Sequence, residues 1–155
     1  MISLVQRVLE AQVRICDEDG IWAPVASIEH GLLVLVGVER GDNAGQADAL
    51  VQRLLNFRVF DDEQGRMNLD VGEVGGELMI VSQFTLAADT RKGRRPGFST
   101  AAPPEQALPL FDHLVAAIRA RHPDIQTGRF GEHMRVSLVN DGPVTFRLDV
   151  PPDKT

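Results

Sequence analysis

The chain has 155 residues, a length that fits one domain with a real core, and no low-complexity tract or composition shift marks a linker within 1–155. Hydrophobic and charged contents of 43% and 25% are those of an ordinary globular protein, and a net charge of −6 argues against a general nucleic-acid coat, whose affinity comes from Lys and Arg on phosphates. Cys16 is the only cysteine, which excludes an intrachain disulfide and a multi-cysteine metal site; no apolar stretch reaches the ~20 residues of a membrane helix, and the expectation is a cytoplasmic protein with no membrane contact.

Taken in chain order, Ile2 to Glu10 and Ala11 to Asp17 are β-rich, and the turn cluster Asp17-Glu18-Asp19-Gly20 predicts a first hairpin leading towards Trp22. Gly31 to Val38 is nearly all Leu and Val between glycines, the pattern of a strand buried on both faces. The period then changes. Ala47, Leu50, Val51, Leu54 and Leu55 recur at helical spacing, with Asp42 or Asn43 placed as the cap.

Val59-Phe60 and the turn residues Asp61, Asp62 and Gly65 predict a short strand and turn, and Gly72, Gly75 and Gly76 punctuate the loop before a strand over Glu77 to Phe84. Those glycines precede a strand, whereas a phosphate cradle needs them before a helix N-terminus. Arg91, Lys92, Arg94 and Arg95 cluster around Gly93 in a basic loop that Pro96-Gly97 keeps irregular, suited to a solvated surface or to a phosphate contact beside an active site. A second helix is predicted from Pro103-Pro104-Glu105 to a point before Pro123, with Ala107, Leu110, Phe111, Leu114, Val115 and Ile118 on one stripe. Two strands, Met134 to Asn140 and Val144 to Val150, close the chain, joined by Asp141-Gly142-Pro143 as a tight hairpin turn. The class is α/β, with helices packed on sheet.

Chemistry has one evident place to sit. Along a strand, Ser82 and Phe84 face one way and Gln83 and Thr85 the other, so both hydroxyls cannot serve one pocket without a kink. A hydroxyl nucleophile also needs a base, and His30, His113, His122 and His133 show no triad spacing. The backbone offers a second route: N–H groups of Phe84 and Thr85 at a strand end can stabilise an oxyanion as water attacks an ester. Asp61, Asp62 and Asp70 lie in turn-like segments without clustered His or Cys, so no metal and no cofactor is expected.

Ser82-Gln83-Phe84-Thr85-Leu86 and Asn140-Asp141-Gly142-Pro143-Val144-Thr145 together resemble the signature pair of D-aminoacyl-tRNA deacylases. Gln6-Arg7-Val8, Gly31-Leu32-Leu33-Val34-Leu35, Met67-Asn68-Leu69, Arg95-Pro96 and Gln126-Thr127-Gly128-Arg129-Phe130 follow in the family's order, so the resemblance covers essentially the whole chain. It implies layered mixed β-sheets forming a barrel-like body with two helices packed outside, working as a homodimer on the 3′ end of aminoacylated tRNA. It implies hydrolysis of the ester of D-aminoacyl-tRNA, and of mischarged glycyl-tRNA, with the neighbouring ribose hydroxyl assisting.

By the same resemblance, the Gly142-Pro143 peptide is cis and enters the partner's site to exclude L side chains, Arg7 steadies it, Asn140 belongs to the same motif, and Met134 lies near the bound amino acid. The chain departs from the usual family pattern at Asp17 to Pro24 and at Gly131-Glu132-His133, which bears on loop contacts to RNA. Two other readings of the residues are a nonenzymatic module that binds RNA ends through Arg91 to Arg95, and a small-substrate esterase with Ser82 or Thr85 as nucleophile. An aromatic content of 5% counts against the first, and the missing base against the second.

Overall fold

A computed structural model describes residues 1–152 of the chain. Eight strands and two α-helices follow one another as β1 (Ile2–Cys16), β2 (Trp22–Ile28), β3 (Gly31–Gly37), α1 (Ala44–Leu55), β4 (Phe60–Asp61), β5 (Met67–Leu69), β6 (Glu77–Ser82), α2 (Pro104–Arg121), β7 (Ile125–Thr127) and β8 (Met134–Asp149). The sheet is mixed. β1 pairs antiparallel with β2, β3 and β8, whereas β3, β6 and β7 run parallel to one another.

β1 organises this body because it is long enough to be shared. Its first half pairs with β3 and its second half with β2, while β8 follows it along nearly its whole length. The sheet therefore has two apolar faces. One buries Leu32, Val34, Val36, Leu78 and Ile80 against Leu50, Leu54, Phe111, Leu114 and Ile118 of the helices. On the other, Val13, Ala26 and Ile28 of β1 and β2 fold over Leu33, Met79 and Val81, which gives the nearly closed, barrel-like form. Burial from both sides explains why Gly31 to Val38 reads as an unbroken apolar run.

Asn43, not Asp42, caps α1: its side chain accepts from Gly45 N at 2.7 Å while its own N–H donates to Gln46 Oε1 at 3.0 Å. Asp42 is instead buried, where it takes the N-terminal ammonium of Met1 at 2.7 Å and the N–H of Glu39 at 2.7 Å. Three expectations are corrected. The strand expected to reach Phe84 stops at Ser82, after which Phe84–Ala87 forms a 3₁₀ turn. The segment at Ile125 adds a strand, β7, that was expected only as part of a motif.

The third correction is the largest. Met134 to Asp149 is one strand and not a hairpin, because both of its halves pair with β1. Between Asn140, opposite Val8, and Thr145, opposite Gln6, β8 has residues 141–144 where β1 has only Arg7. Asp141-Gly142-Pro143 is thus a bulge that lifts off the sheet, the role proline takes where it cannot donate to a ladder.

Candidate active site

The end of β6 meets α2 and the start of β8 around a cleft of about 560 Å³, lined on different sides by Ser82, Gln83, Phe84, Phe98, Phe130 and Met134. Its walls are mostly apolar. Alanines and prolines at 101–104, at the head of α2, line it together with Val36 and Val81. Phe84 and Phe98 meet at a tilt of 53° with 5.0 Å between ring centroids, yet are 58% and 41% exposed, an unusual amount of open aromatic surface in a chain with so few aromatics.

The turn after β6 sets the polar geometry. Gln83 N–H still donates to Val36 O at 2.7 Å, the last ladder bond, and the chain then winds so that Leu86 N–H returns to Gln83 O at 3.2 Å. In a 3₁₀ turn the first N–H groups have no internal acceptor, and those of Phe84 and Thr85 meet none among the described residues. Two adjacent N–H donors without an acceptor thus lie at the turn beside the apolar cleft. The hydroxyls are less well placed for attack. Thr85 is exposed, does not line the cleft, and its Oγ1 accepts from Gln83 Nε2 at 2.5 Å. Ser82 lines the cleft without a side-chain hydrogen bond; His133, the only histidine on the wall, sets its ring against Trp22 at 5.3 Å.

The Gly-Pro bulge is held from both sides. Arg7, whose side chain is 9% exposed, donates from Nε to Asp141 O at 3.2 Å and from Nη1 to Val59 O at 2.8 Å, and pairs with the Asp61 and Asp141 carboxylates at 3.4 and 3.3 Å. Asn140 Nδ2 donates to Arg7 O and to Val144 O, both at 3.0 Å, bridging the gap beneath the loop. The Gly142-Pro143 peptide is cis, and Gly142 has φ +138. Both residues are exposed.

The bulge and the cleft are far apart within one chain. Ser82 is level with Val36, Ser3 and Leu148 across the sheet, whereas Arg7 beside the bulge is level with Leu32 and Leu78. The offset is about four residues along the strands and three strands across, roughly 13 Å by 14 Å at the usual spacings.

The segments that meet at these two places are shared with known proteins over nearly the whole chain. Residues 4–149 match the family described as D-Tyr-tRNA(Tyr) deacylase. The chain belongs to this family. It is 55% identical to a D-aminoacyl-tRNA deacylase of Stutzerimonas stutzeri over 96% of this chain and 99% of that one, and 56% identical to one of Pseudomonas putida over 97% and 100%. Among solved structures, the c-Myc DNA Unwinding Element Binding Protein superposes with a TM-score of 0.89 at 36% identity, covering 97% of this chain and 99% of that one. A probable eukaryotic D-amino acid tRNA deacylase, at 16% identity and a TM-score of 0.77 over 96% and 98% of the two chains, shares the fold. The mixed-sheet body with two outer helices and membership among hydrolases of ester bonds are both as the sequence led us to expect.

Within this family member, the structure brings Ser82, Gln83, Phe84 and Met134 to one cleft, leaves Thr85 beside it, and sets Arg7, Asn140, Gly142 and Pro143 together elsewhere. The basic loop is pinned at its base by paired bonds between Asp89 and Gly97, at 2.7 and 3.0 Å. Arg91 is committed to Asp89, with Nε and Nη2 forked onto its carboxylate at 2.9 and 2.8 Å. That fork, with the Arg91 N–H, holds the Asp89 carboxyl well below the ordinary carboxylate range and raises the Arg91 guanidinium further. Lys92, Arg94 and Arg95 are exposed with no acidic partner among the described residues.

Phe98, Phe130 and the alanines before α2 escaped the reading of site residues. Phe130 ends the motif-like segment Gln126 to Phe130 and Phe98 follows two residues after Arg95-Pro96, and only the fold reveals their part in a wall. No cluster of three or more His, Cys, Asp or Glu suited to a metal occurs among the described residues, and no helix there is long and apolar enough to cross a membrane.

Proposed function

We propose that this chain hydrolyses the ester bond of D-aminoacyl-tRNA by backbone oxyanion stabilisation, without a covalent intermediate. The observation that carries the reading is the pair of free N–H groups on Phe84 and Thr85 beside a cleft whose hydroxyls lack a base. Water attacks the ester carbonyl, the two N–H groups take the developing charge, and the neighbouring ribose hydroxyl of the tRNA assists. Donors of this kind are worth ~10²–10³ in rate, which suits an ester that is already activated.

Chirality is read by Gly142 and Pro143 supplied by a second copy of the chain. D and L esters carry the same polar groups, so selection must act on where Cα directs its side chain, and stiff backbone blocks that space better than a rotamer. The separation of bulge from cleft within one chain supports a homodimer in which each copy completes the other's site. So does the outer edge of β8, unpaired among the described strands and carrying exposed Val136, Val139 and Phe146. Glycine has no side chain to block, so glycyl-tRNA is a substrate as well. Lys92, Arg94 and Arg95 meet phosphates of the acceptor end, Met134 bounds the amino-acid pocket, and the substrate places the protein in the cytoplasm.

Removing the terminal 2′-hydroxyl from a D-tyrosyl ester of tRNA tests the chemistry. The account expects hydrolysis to slow by ~10² or more, the usual scale of positioned proton-transfer assistance. An unchanged rate, with a trapped ester on Ser82 or Thr85, supports the esterase reading instead.

A further inference from the structure

Two arginines face each other on neighbouring strands, on the face of β1 and β8 away from Met134 and Val136, which line the cleft. Arg14 of β1 and Arg135 of β8 are direct partners in register, so their side chains rise from the same face of the sheet. Like charges so placed repel, and neither has an acidic partner among the described residues: Arg14 reaches only Gln12 Oε1, at 2.6 Å. Arg135 instead lays its guanidinium 3.8 Å over the ring of Trp22, and the His133 ring meets the same indole edge-on at 5.3 Å. His133 also lines the cleft, which ties the cluster to the site. Trp22 opens β2 and His133 directly precedes β8, and the fold brings them together.

We propose that Arg14, Arg135, Trp22 and His133 form a second RNA contact, for unpaired nucleotides leading to the ester in the cleft. Two uncompensated guanidiniums in a chain of net charge −6 select an anion, and a fork geometry selects phosphate. The exposed faces of Arg135 and His133, backed by the indole, offer planes on which a splayed base stacks. This inference rests on the proposed substrate only in naming RNA; the cluster's charge and geometry stand apart from the chemistry of the cleft.

Trp22 is the chain's only tryptophan, so its emission reports on the cluster directly. Uncharged tRNA is titrated into the wild-type protein and into Arg14→Ala and Arg135→Ala variants at several salt concentrations. Expected are a change in Trp22 emission on binding, Kd raised several-fold in each variant, and a log Kd against log salt slope smaller by about 0.7 per arginine, the single-strand value for one lost phosphate contact. With D-tyrosyl esters, the fall in kcat/KM is at least fivefold larger for tRNA than for adenosine alone. Unchanged Kd and slope in both variants overturn the inference, as does an equal fall for tRNA and adenosine esters, or a changed oligomeric state that accounts for the loss. If the wild-type protein binds tRNA through this cluster yet cleaves no ester, the proposed reaction fails and the contact stands.

Discussion

At the scale of the residue, the two motifs divide the work between backbone and side chain. Ser82 and Thr85 look like nucleophiles in a line of sequence, but Thr85 Oγ1 is occupied by Gln83 and no histidine bonds either hydroxyl. Ser82→Ala and Thr85→Ala are therefore expected to keep cleavage of a D-tyrosyl ester within about tenfold of wild type in single-turnover assays. A nucleophile's loss would remove far more. Arg7 is a different kind of residue, buried and satisfied by carbonyls and carboxylates on two loops. Arg7→Ala leaves Val59 O and Asp141 O without their donor, a loss of about 2–3 kcal/mol on the scale of hydrogen bonds to charged groups. Thermal unfolding should show a Tm lower by roughly 5–10 °C.

Gly142 cannot hold a side chain where it stands. A Cβ there would lie 2.8 Å from Val144 N and 2.5 Å from its Cγ2, and Val144 is part of the core. At φ +138 the backbone itself is one that L side chains rarely adopt. Gly142→Ala should lower Tm and reshape the bulge together, and the ratio of D- to L-tyrosyl-tRNA cleavage should fall with it.

At the scale of the element, helices were the legible part and strand ends were not. The stripe from Ala47 to Leu55 and the one from Ala107 to Ile118 are set by burial against one sheet face, which imposes the helical period. Residues Ser82 to Thr85 read as continued alternation because nothing in their composition announces a 3₁₀ turn; the turn follows from where Val36 stops offering a partner. Asp141-Gly142-Pro143 reads as a hairpin for a related reason. Its residues are turn formers, and only pairing of both flanks with β1 distinguishes a bulge from a reversal. The unpaired N–H groups of Phe84 and Thr85 and the Gly-Pro bulge both lie at these misread joints, so local pattern could name the residues without giving their geometry.

The segment before β8 carries a prediction of its own. A Cβ on Gly128 would stand 2.7 Å from Met134 Sδ, the far end of a flexible side chain, so Gly128→Ala should fold with nearly wild-type Tm while pushing Met134 into the cleft. Steady-state assays should then show a larger loss of kcat/KM for D-tyrosyl-tRNA than for D-alanyl-tRNA. The basic loop is tied by an electrostatic clamp. Because the Arg91 side chain depresses the folded-state pKa of Asp89, the clamp is fully present above the ordinary carboxylate range and is lost only as pH falls through the depressed value. Carboxyl NMR should find Asp89 still ionised at a pH well below the ordinary carboxylate range.

At the scale of the whole molecule, two copies of the chain complete one site in the proposed mechanism. The unpaired N–H groups of Phe84 and Thr85 and the apolar cleft lie at the end of β6, and the Gly-Pro bulge lies across the sheet near Arg7. Family resemblance was legible over almost every element, since the motifs are spaced along the chain. The resemblance also assigned the Gly-Pro element to a partner's site, but the offset of bulge from cleft within one chain was not legible, because it depends on register through four strands. Sedimentation should give twice the mass of the chain, and Val139→Glu on the open edge of β8 should shift it towards the monomer while relaxing chiral rejection. The central claim is that the chain cleaves D esters and refuses L esters. It is tested most directly by incubating the purified protein, with chelator present, with D-tyrosyl-tRNA and L-tyrosyl-tRNA in parallel and counting released tyrosine. The account predicts rapid loss of the D ester alone; cleavage of both at similar rates, or of neither, would contradict it.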